Sequence, residues 1–162
     1  MSDGSYSPGS QQGPVPPVRC ATSKPTAVIA DDQASFSSIV TRLLQREFDI
    51  LAATRDGVAL LAAIERHHPD LVVADINMPL MNGIDAVSRA RAVGSLEREA
   101  CEPTAVVFLT NHDDQILLER AIAAGGLGYV LKPRAAVDLL VAVAAARQGR
   151  RFVSPPLEDP AA

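Results

Sequence analysis

Short apolar runs of strand length alternate with amphipathic helical stretches, five of each, along residues 26–151. Residues 26–30 are aliphatic and β-branched, and Phe36, Ile39, Val40, Leu43 and Leu44 then recur at the i, i+3, i+4, i+7, i+8 spacing of one helix face. Residues 49–54 read as a second strand, Arg55-Asp56-Gly57 as a turn, and Val58, Leu60, Leu61, Ala62 and Ile64 as a helix that stops before Pro69. A third strand, Leu71-Val72-Val73-Ala74, ends on Asp75, and a Pro- and Gly-punctuated loop leads to a helix over residues 83–93. Residues 104–109 form a fourth strand, after which Asn111-His112-Asp113-Asp114 supplies an N-cap and an acidic first turn for a helix to Ala124. Gly125-Gly126 ends it, residues 127–131 form the fifth strand, and Val137, Leu140, Val141 and Ala144 mark a last helix that Gly149 terminates. Strands alternating with helices require a parallel sheet covered on both faces, with right-handed crossovers. The expected class is a doubly wound α/β fold, whose ligand site lies beyond the carboxyl ends of the strands.

The residues at those ends are Asp31 and Asp32 after the first strand, Asp75 after the third, Thr110 after the fourth and Lys132 after the fifth. Aspartate is a poor strand residue and costly to bury unpaired, so Asp75 directly after a run of aliphatics needs a reason. Crowded carboxylates repel one another and call for a cation, and an all-oxygen, partly open site suits Mg²⁺. With an ammonium and a hydroxyl facing a carboxylate, such a rim is complementary to a phosphoryl group, with Asp75 as the nucleophile. Each member also has a plainer role. Asp31 and Asp32 are equally an N-cap for the following helix, Asp75 a turn residue, Thr110 a strand-end hydroxyl and Lys132 a solvated lysine. Their joint occurrence on four strand ends favours the site.

Composition narrows the remaining classes. At 162 residues the chain suits one domain rather than two. A net charge of −4 and no basic stripe give no footprint for nucleic acid. Cys20 and Cys101 match no metal or redox spacing and read as free thiols in a reducing compartment. His67 and His68 close the second helix and lack a third metal ligand at usable spacing. The longest apolar stretch, residues 135–146, is broken by Asp138 and too short to span a bilayer, so the chain is expected to be soluble, cytoplasmic and without membrane contact. Residues 1–24, rich in Ser, Gly, Pro and Gln, read as a disordered tail, residues 25–152 as the folded domain, and residues 153–162 as a short C-terminal tail.

The motifs Ala30-Asp31-Asp32, Pro69-Asp70-Leu71-Val72-Val73-Ala74-Asp75-Ile76-Asn77-Met78-Pro79, Asn82-Gly83, Leu109-Thr110 and Gly128-Tyr129-Val130-Leu131-Lys132-Pro133 resemble the receiver domain of bacterial two-component response regulators. The resemblance implies a flavodoxin-like (CheY-like) sheet of five strands in the order 2-1-3-4-5. It implies that Asp75 is phosphorylated by a sensor histidine kinase or a phosphotransfer protein. Asp31, Asp32, Asp75 and the backbone carbonyl of Asn77 would hold Mg²⁺, and Thr110 and Lys132 would contact the phosphoryl oxygens. A cis bond between Lys132 and Pro133 is also implied. Thr110 and Tyr129 would form the switch, while Asn77 and His112 would tune the lifetime of the phosphate. The reporting surface would be helix 4, strand 5 and helix 5, and the broad apolar arc of Ile116, Leu117, Leu118, Ala121, Ile122, Ala123 and Ala124 suggests a phosphorylation-dependent homodimer or partner contact there.

The C-terminal portion, Val137-Asp138-Leu139-Leu140 and residues 145–155, looks like regulators of the NarL/FixJ type, in which a linker leads to a DNA-binding helix-turn-helix. Two readings stay open: a single-domain regulator acting by protein contact, and the receiver portion of such a transcriptional regulator. A phosphorylation-independent pseudo-receiver scaffold is a further alternative. An aspartate-nucleophile phosphatase of the haloacid dehalogenase type also uses a strand-end Asp and Mg²⁺, but it wants an acid where Asn77 sits.

Overall fold

The computed structural model describes residues 24–98 and 101–155. Strands β1 (Thr26–Ala30), β2 (Asp49–Thr54), β3 (Leu71–Asp75), β4 (Ala105–Thr110), β5 (Gly128–Leu131) and β6 (Phe152–Val153) alternate with helices α1 (Ala34–Leu44), α2 (Gly57–His67), α3 (Gly83–Ala92), α4 (Gln115–Ala123) and α5 (Ala135–Arg147). A 3₁₀ turn, Lys132–Arg134, joins β5 to α5. The sheet is parallel throughout, in the order 2-1-3-4-5-6.

The five expected strands are present in the expected order, and β6 is an addition. Phe152 N donates to Leu127 O at 2.8 Å and Ser154 N to Tyr129 O at 2.8 Å, which lays residues 152–154 along the free edge of β5. A strand of two residues carries no readable alternation, so the sequence reads there as a tail.

Period-two alternation explains how one sheet serves two cores. Val28, Ala30, Val72, Ala74, Val106, Phe108, Tyr129 and Leu131 pack toward α2, α3 and α4. Ala27, Ile29, Leu71, Val73, Val107, Leu109 and Val130 pack toward α1 and α5. Strands β3 and β4 are buried along their whole length, which is why they read as continuous aliphatic runs. Each fully buried Val, Leu or Ile there contributes about 1.5–3 kcal/mol.

Short polar side chains start three of the five helices. Asp56 accepts from Ala59 N at 2.7 Å at the head of α2, Asn82 from Asp85 N at 2.7 Å at α3, and Asp114 from Ile116 N at 2.8 Å at α4. At the amino edge of the sheet, Asp70 accepts from Thr26 N at 2.7 Å and from Thr26 Oγ1 at 3.1 Å, and it pairs with Arg98. Helix α5 is apolar on both sides. Ala135, Leu139, Ala142, Val143 and Ala146 are buried, whereas Val137, Leu140 and Val141 face outward.

The free-thiol reading fails at Cys101, which is disulfide-bonded. A disulfide there removes that support for a reducing compartment. Cys20 and the rest of the N-terminal segment through residue 23 lie outside the described residues, as do residues 156–162. Among the described residues no helix is long and apolar enough to cross a membrane.

Candidate functional site

Parallel register delivers the strand-end residues to one rim. Asp31 follows Ala30, the partner of Ala74, and therefore stands level with Asp75. Asp75 pairs with Leu109, and Thr110 pairs with Leu131, so Thr110 and Lys132 step outward along the same edge. One carboxylate oxygen from each of Asp31, Asp32 and Asp75 falls within 4.8 Å of the others. Asp31 and Asp75 are buried and Asp32 is exposed, so the cluster is open on one side. Lys132 Nζ lies 2.9 Å from Asp31 Oδ2 and 3.0 Å from Asp75 Oδ2, and the Phe36 ring covers it at 4.7 Å.

Local turns hold the acids in place. Asp31 Oδ1 accepts from Gln33 N at 2.8 Å, Asp75 Oδ1 from Asn77 N at 3.1 Å, and Thr110 Oγ1 from His112 N at 3.1 Å. The plain turn role and the convergent site therefore coexist, with one carboxylate oxygen committed to the backbone and the other free for the rim. Capping of α1 by the acid pair does not occur: Gln33 is the N-cap, with no side-chain cap bond.

The loop after Asp75 is folded tightly against it. Gly83 N donates to Ile76 O at 2.9 Å, and a Cβ at Gly83 would stand 2.2 Å from Asp75 O. Gly57, at the head of α2, is as constrained, since a Cβ there would meet Met81 O at 2.1 Å. Both glycines let backbone approach backbone, which brings the loop close beside Asp75.

Burial pushes the Asp75 carboxyl up to about 6, and Asp31 adds to the rise, while the Lys132 ammonium and the Asn77 amide work against it. For Lys132, burial disfavours the charged form, but the Asp31 and Asp75 carboxylates beside it outweigh that and raise its pKa. Asp31 Oδ2 sits close to that ammonium but out of line for a hydrogen bond, and among the described residues no other donor reaches it. A buried carboxylate oxygen without a hydrogen bond, in a cluster of three acids facing one lysine, fits a hard divalent cation such as Mg²⁺.

Tyr129 is buried, and its hydroxyl donates to His112 O at 3.0 Å, which ties β5 to the segment after Thr110. Burial raises the phenol pKa. His112 itself is exposed. The Lys132–Pro133 bond is trans, contrary to the cis bond implied by resemblance. Pro133 sits in the first turn of a 3₁₀ segment, where its fixed φ is already helical and its missing amide costs nothing.

Phe36 and Ser154 also support the site, although in sequence Phe36 reads as a helix-face hydrophobe and Ser154 as part of a tail. The only available signal was proximity to an acid pair in one case and a Ser-Pro step after a Phe-Val pair in the other.

The response regulator receiver domain family matches residues 27–144. The chain is 32% identical to the transcriptional regulatory protein DegU of Brevibacillus brevis, over 79% of this chain and 52% of that one. It is also 32% identical to the transcriptional regulatory protein NarL of Mycobacterium tuberculosis, over 83% of this chain and 60% of that one. The chain thus spans between about half and three-fifths of these relatives. Among solved structures, the signal receiver domain of the Mycobacterium tuberculosis response regulator NarL superposes with a TM-score of 0.69 at 28% identity, covering 78% of this chain and 98% of that one. A LuxR-family two-component response regulator from Aurantimonas sp. SI85-9A1 gives 0.70 at 26% identity, covering 83% and 91%.

Proposed function

Since this chain belongs to the response regulator receiver domain family, we propose that it is a phosphoacceptor in which Asp75 takes a phosphoryl group from a histidine kinase or a phosphotransfer protein. The observation that carries this reading is the convergence of Asp31, Asp32, Asp75 and Lys132 within contact distance at one rim. Asp31, Asp32, Asp75 and the Asn77 carbonyl would hold Mg²⁺. When bound, that ion neutralises phosphoryl charge and leaves the chemistry itself to the side chains.

In the transfer, an Asp75 carboxylate oxygen attacks phosphorus while the P–N bond of a phosphohistidine breaks and its electron pair leaves with the imidazole nitrogen. Lys132 and Thr110 then contact the equatorial oxygens. Hydrolysis reverses the state: water attacks phosphorus and the P–O bond to Asp75 breaks. Asn77 and His112, each two residues beyond a site residue, flank the path of that water and would tune the lifetime. The protein performs only its own phosphorylation and dephosphorylation and is a signalling receiver rather than an enzyme acting on other substrates.

Thr110 and Tyr129 form the proposed switch, because a hydroxyl drawn toward the phosphoryl group changes what Tyr129 packs against. The responding face is α4, β5 and α5, where Ile116, Val137, Leu140 and Val141 are exposed and a homodimer or partner would dock. Because β6 occupies the β5 edge, the two helices supply most of that face. Residues 25–152 would be the receiver unit, acting in the cytoplasm.

Incubation with acetyl phosphate and Mg²⁺, followed by intact mass measurement, tests the function. One added phosphoryl group, lost without Mg²⁺, supports it, and an unmodified mass leaves the pseudo-receiver scaffold instead. A second reading, the receiver portion of a DNA-binding transcriptional regulator, is favoured by the likeness to DegU and NarL, which are longer than this chain.

A further inference from the structure

Outside the acidic rim, two buried polar side chains meet beside the turn that carries Lys132. Ser154 is 6% exposed and Asp138 5% exposed. The Ser154 hydroxyl is used twice: it donates to Asp138 Oδ2 at 2.7 Å and accepts from Leu131 N at 3.1 Å. Strand β6 ends at Val153, so the Ser154 hydroxyl stands where the next ladder carbonyl would accept the Leu131 amide. The same Asp138 Oδ2 accepts from Arg134 Nε at 2.8 Å, and Arg134 Nη2 reaches Oδ1 at 3.4 Å.

These bonds bracket the site lysine. Leu131 immediately precedes Lys132, and Arg134 ends the 3₁₀ turn that Lys132 begins. Both ends of that turn converge on one carboxylate. Lys132 must deliver its ammonium between Asp31 and Asp75, and its long side chain inherits any looseness in the backbone beneath it. Ser154 lies beyond residue 144, where the family match ends.

We infer that Ser154, Asp138 and Arg134 form a clamp that positions Lys132 for phosphoryl transfer, so that the C-terminal strand is part of the support of the phosphorylation site. The inference rests on the receiver reading. The clamp touches neither phosphorus nor the acids; it acts through the Lys132 backbone, and these are positioning residues. Loss of one of its bonds should slow transfer without changing how the acids bind a cation.

The test compares the wild type with Ser154→Ala, Arg134→Gln and the double variant, using acetyl phosphate with Mg²⁺ titrated to saturation. Arg134 is about one-third exposed, so its substitution leaves the core intact even if Ser154→Ala folds poorly. The expected result is a maximal phosphorylation rate roughly three- to ten-fold lower in Ser154→Ala and two- to three-fold lower in Arg134→Gln. The half-saturating Mg²⁺ concentration stays within about two-fold, and the double variant falls short of the product of the single effects. Wild-type rates in Ser154→Ala and Arg134→Gln would overturn the inference, as would a parallel loss of Mg²⁺ affinity, which marks general damage to the site. A wild type that takes no phosphoryl group sinks the receiver reading itself, and that failure is distinct from a wild type and variants phosphorylated at equal rates.

Discussion

Replacing Asp75 with Asn should make the protein more stable. Asp75 is 3% exposed, and burial raises its pKa from 3.8 to about 6, with Asp31 contributing and Lys132 opposing. A carboxyl whose folded pKa is raised binds its proton more tightly in the folded state. The penalty for ionising it is complete above about 6 and disappears below the unfolded value near 3.8. The separation corresponds to about 3 kcal/mol at neutral pH. Asn, uncharged like the protonated carboxyl and still an acceptor for the Asn77 amide, should recover part of that penalty, roughly 1–2 kcal/mol, or about 4–8 °C in melting temperature. Thermal unfolding of wild type and Asp75→Asn without Mg²⁺, from pH 4 to 8, measures this directly. The gain should be largest above pH 6.5 and vanish near pH 4. An Asn variant no more stable than wild type at pH 7.5, or a gain independent of pH, would refute the electrostatic argument.

Three other outcomes follow from the same geometry. Mg²⁺ at a hundredfold excess over its dissociation constant should stabilise the wild type by about 2.7 kcal/mol, and Asp31→Asn or Asp32→Asn should remove most of that effect in a thermal shift assay. Gly83→Ala should destabilise the fold by roughly 2–3 kcal/mol in urea unfolding, because the obstructing atom is the Asp75 backbone oxygen and cannot rotate away. Burial works to raise the Asp70 pKa, but bonds from Thr26 and Arg98 prevail and hold it below 3.8; Asp70→Ala should cost about 2 kcal/mol at pH 7 and progressively less as pH falls below 4.

The parallel sheet was legible because β1, β3 and β4 are buried runs bounded by sharp signals, and parallel register then dictates which side chains meet. That is why Asp31, Asp75, Thr110 and Lys132 are legible in the sequence as strand-end residues. What escaped depends on contacts that leave no local pattern. β6 is too short to alternate, Phe36 serves the helix face and the lysine at once, and the Ser154–Asp138 bond joins residues whose spacing matches no motif. The disulfide at Cys101 and the trans geometry before Pro133 were equally invisible, since neither follows from spacing or residue type. The wide apolar arc on α4 was only partly a surface: Ile116 is 68% exposed, while Leu117, Leu118 and Ile122 are half-buried and Ala121 is buried. Much of the exposed aliphatic surface lies instead on α5, at Val137, Leu140 and Val141.

Asp75, alone among the clustered acids, is the proposed site of an acyl phosphate. Borohydride reduces an acyl phosphate to the corresponding alcohol, which converts the modified aspartate to homoserine and marks its position in a peptide mass spectrum. After treatment with acetyl phosphate and Mg²⁺, homoserine is expected at position 75 and unchanged aspartate at 31 and 32. Reduction at Asp31 or Asp32 instead, or no homoserine anywhere in a protein whose fold is intact, would contradict that assignment.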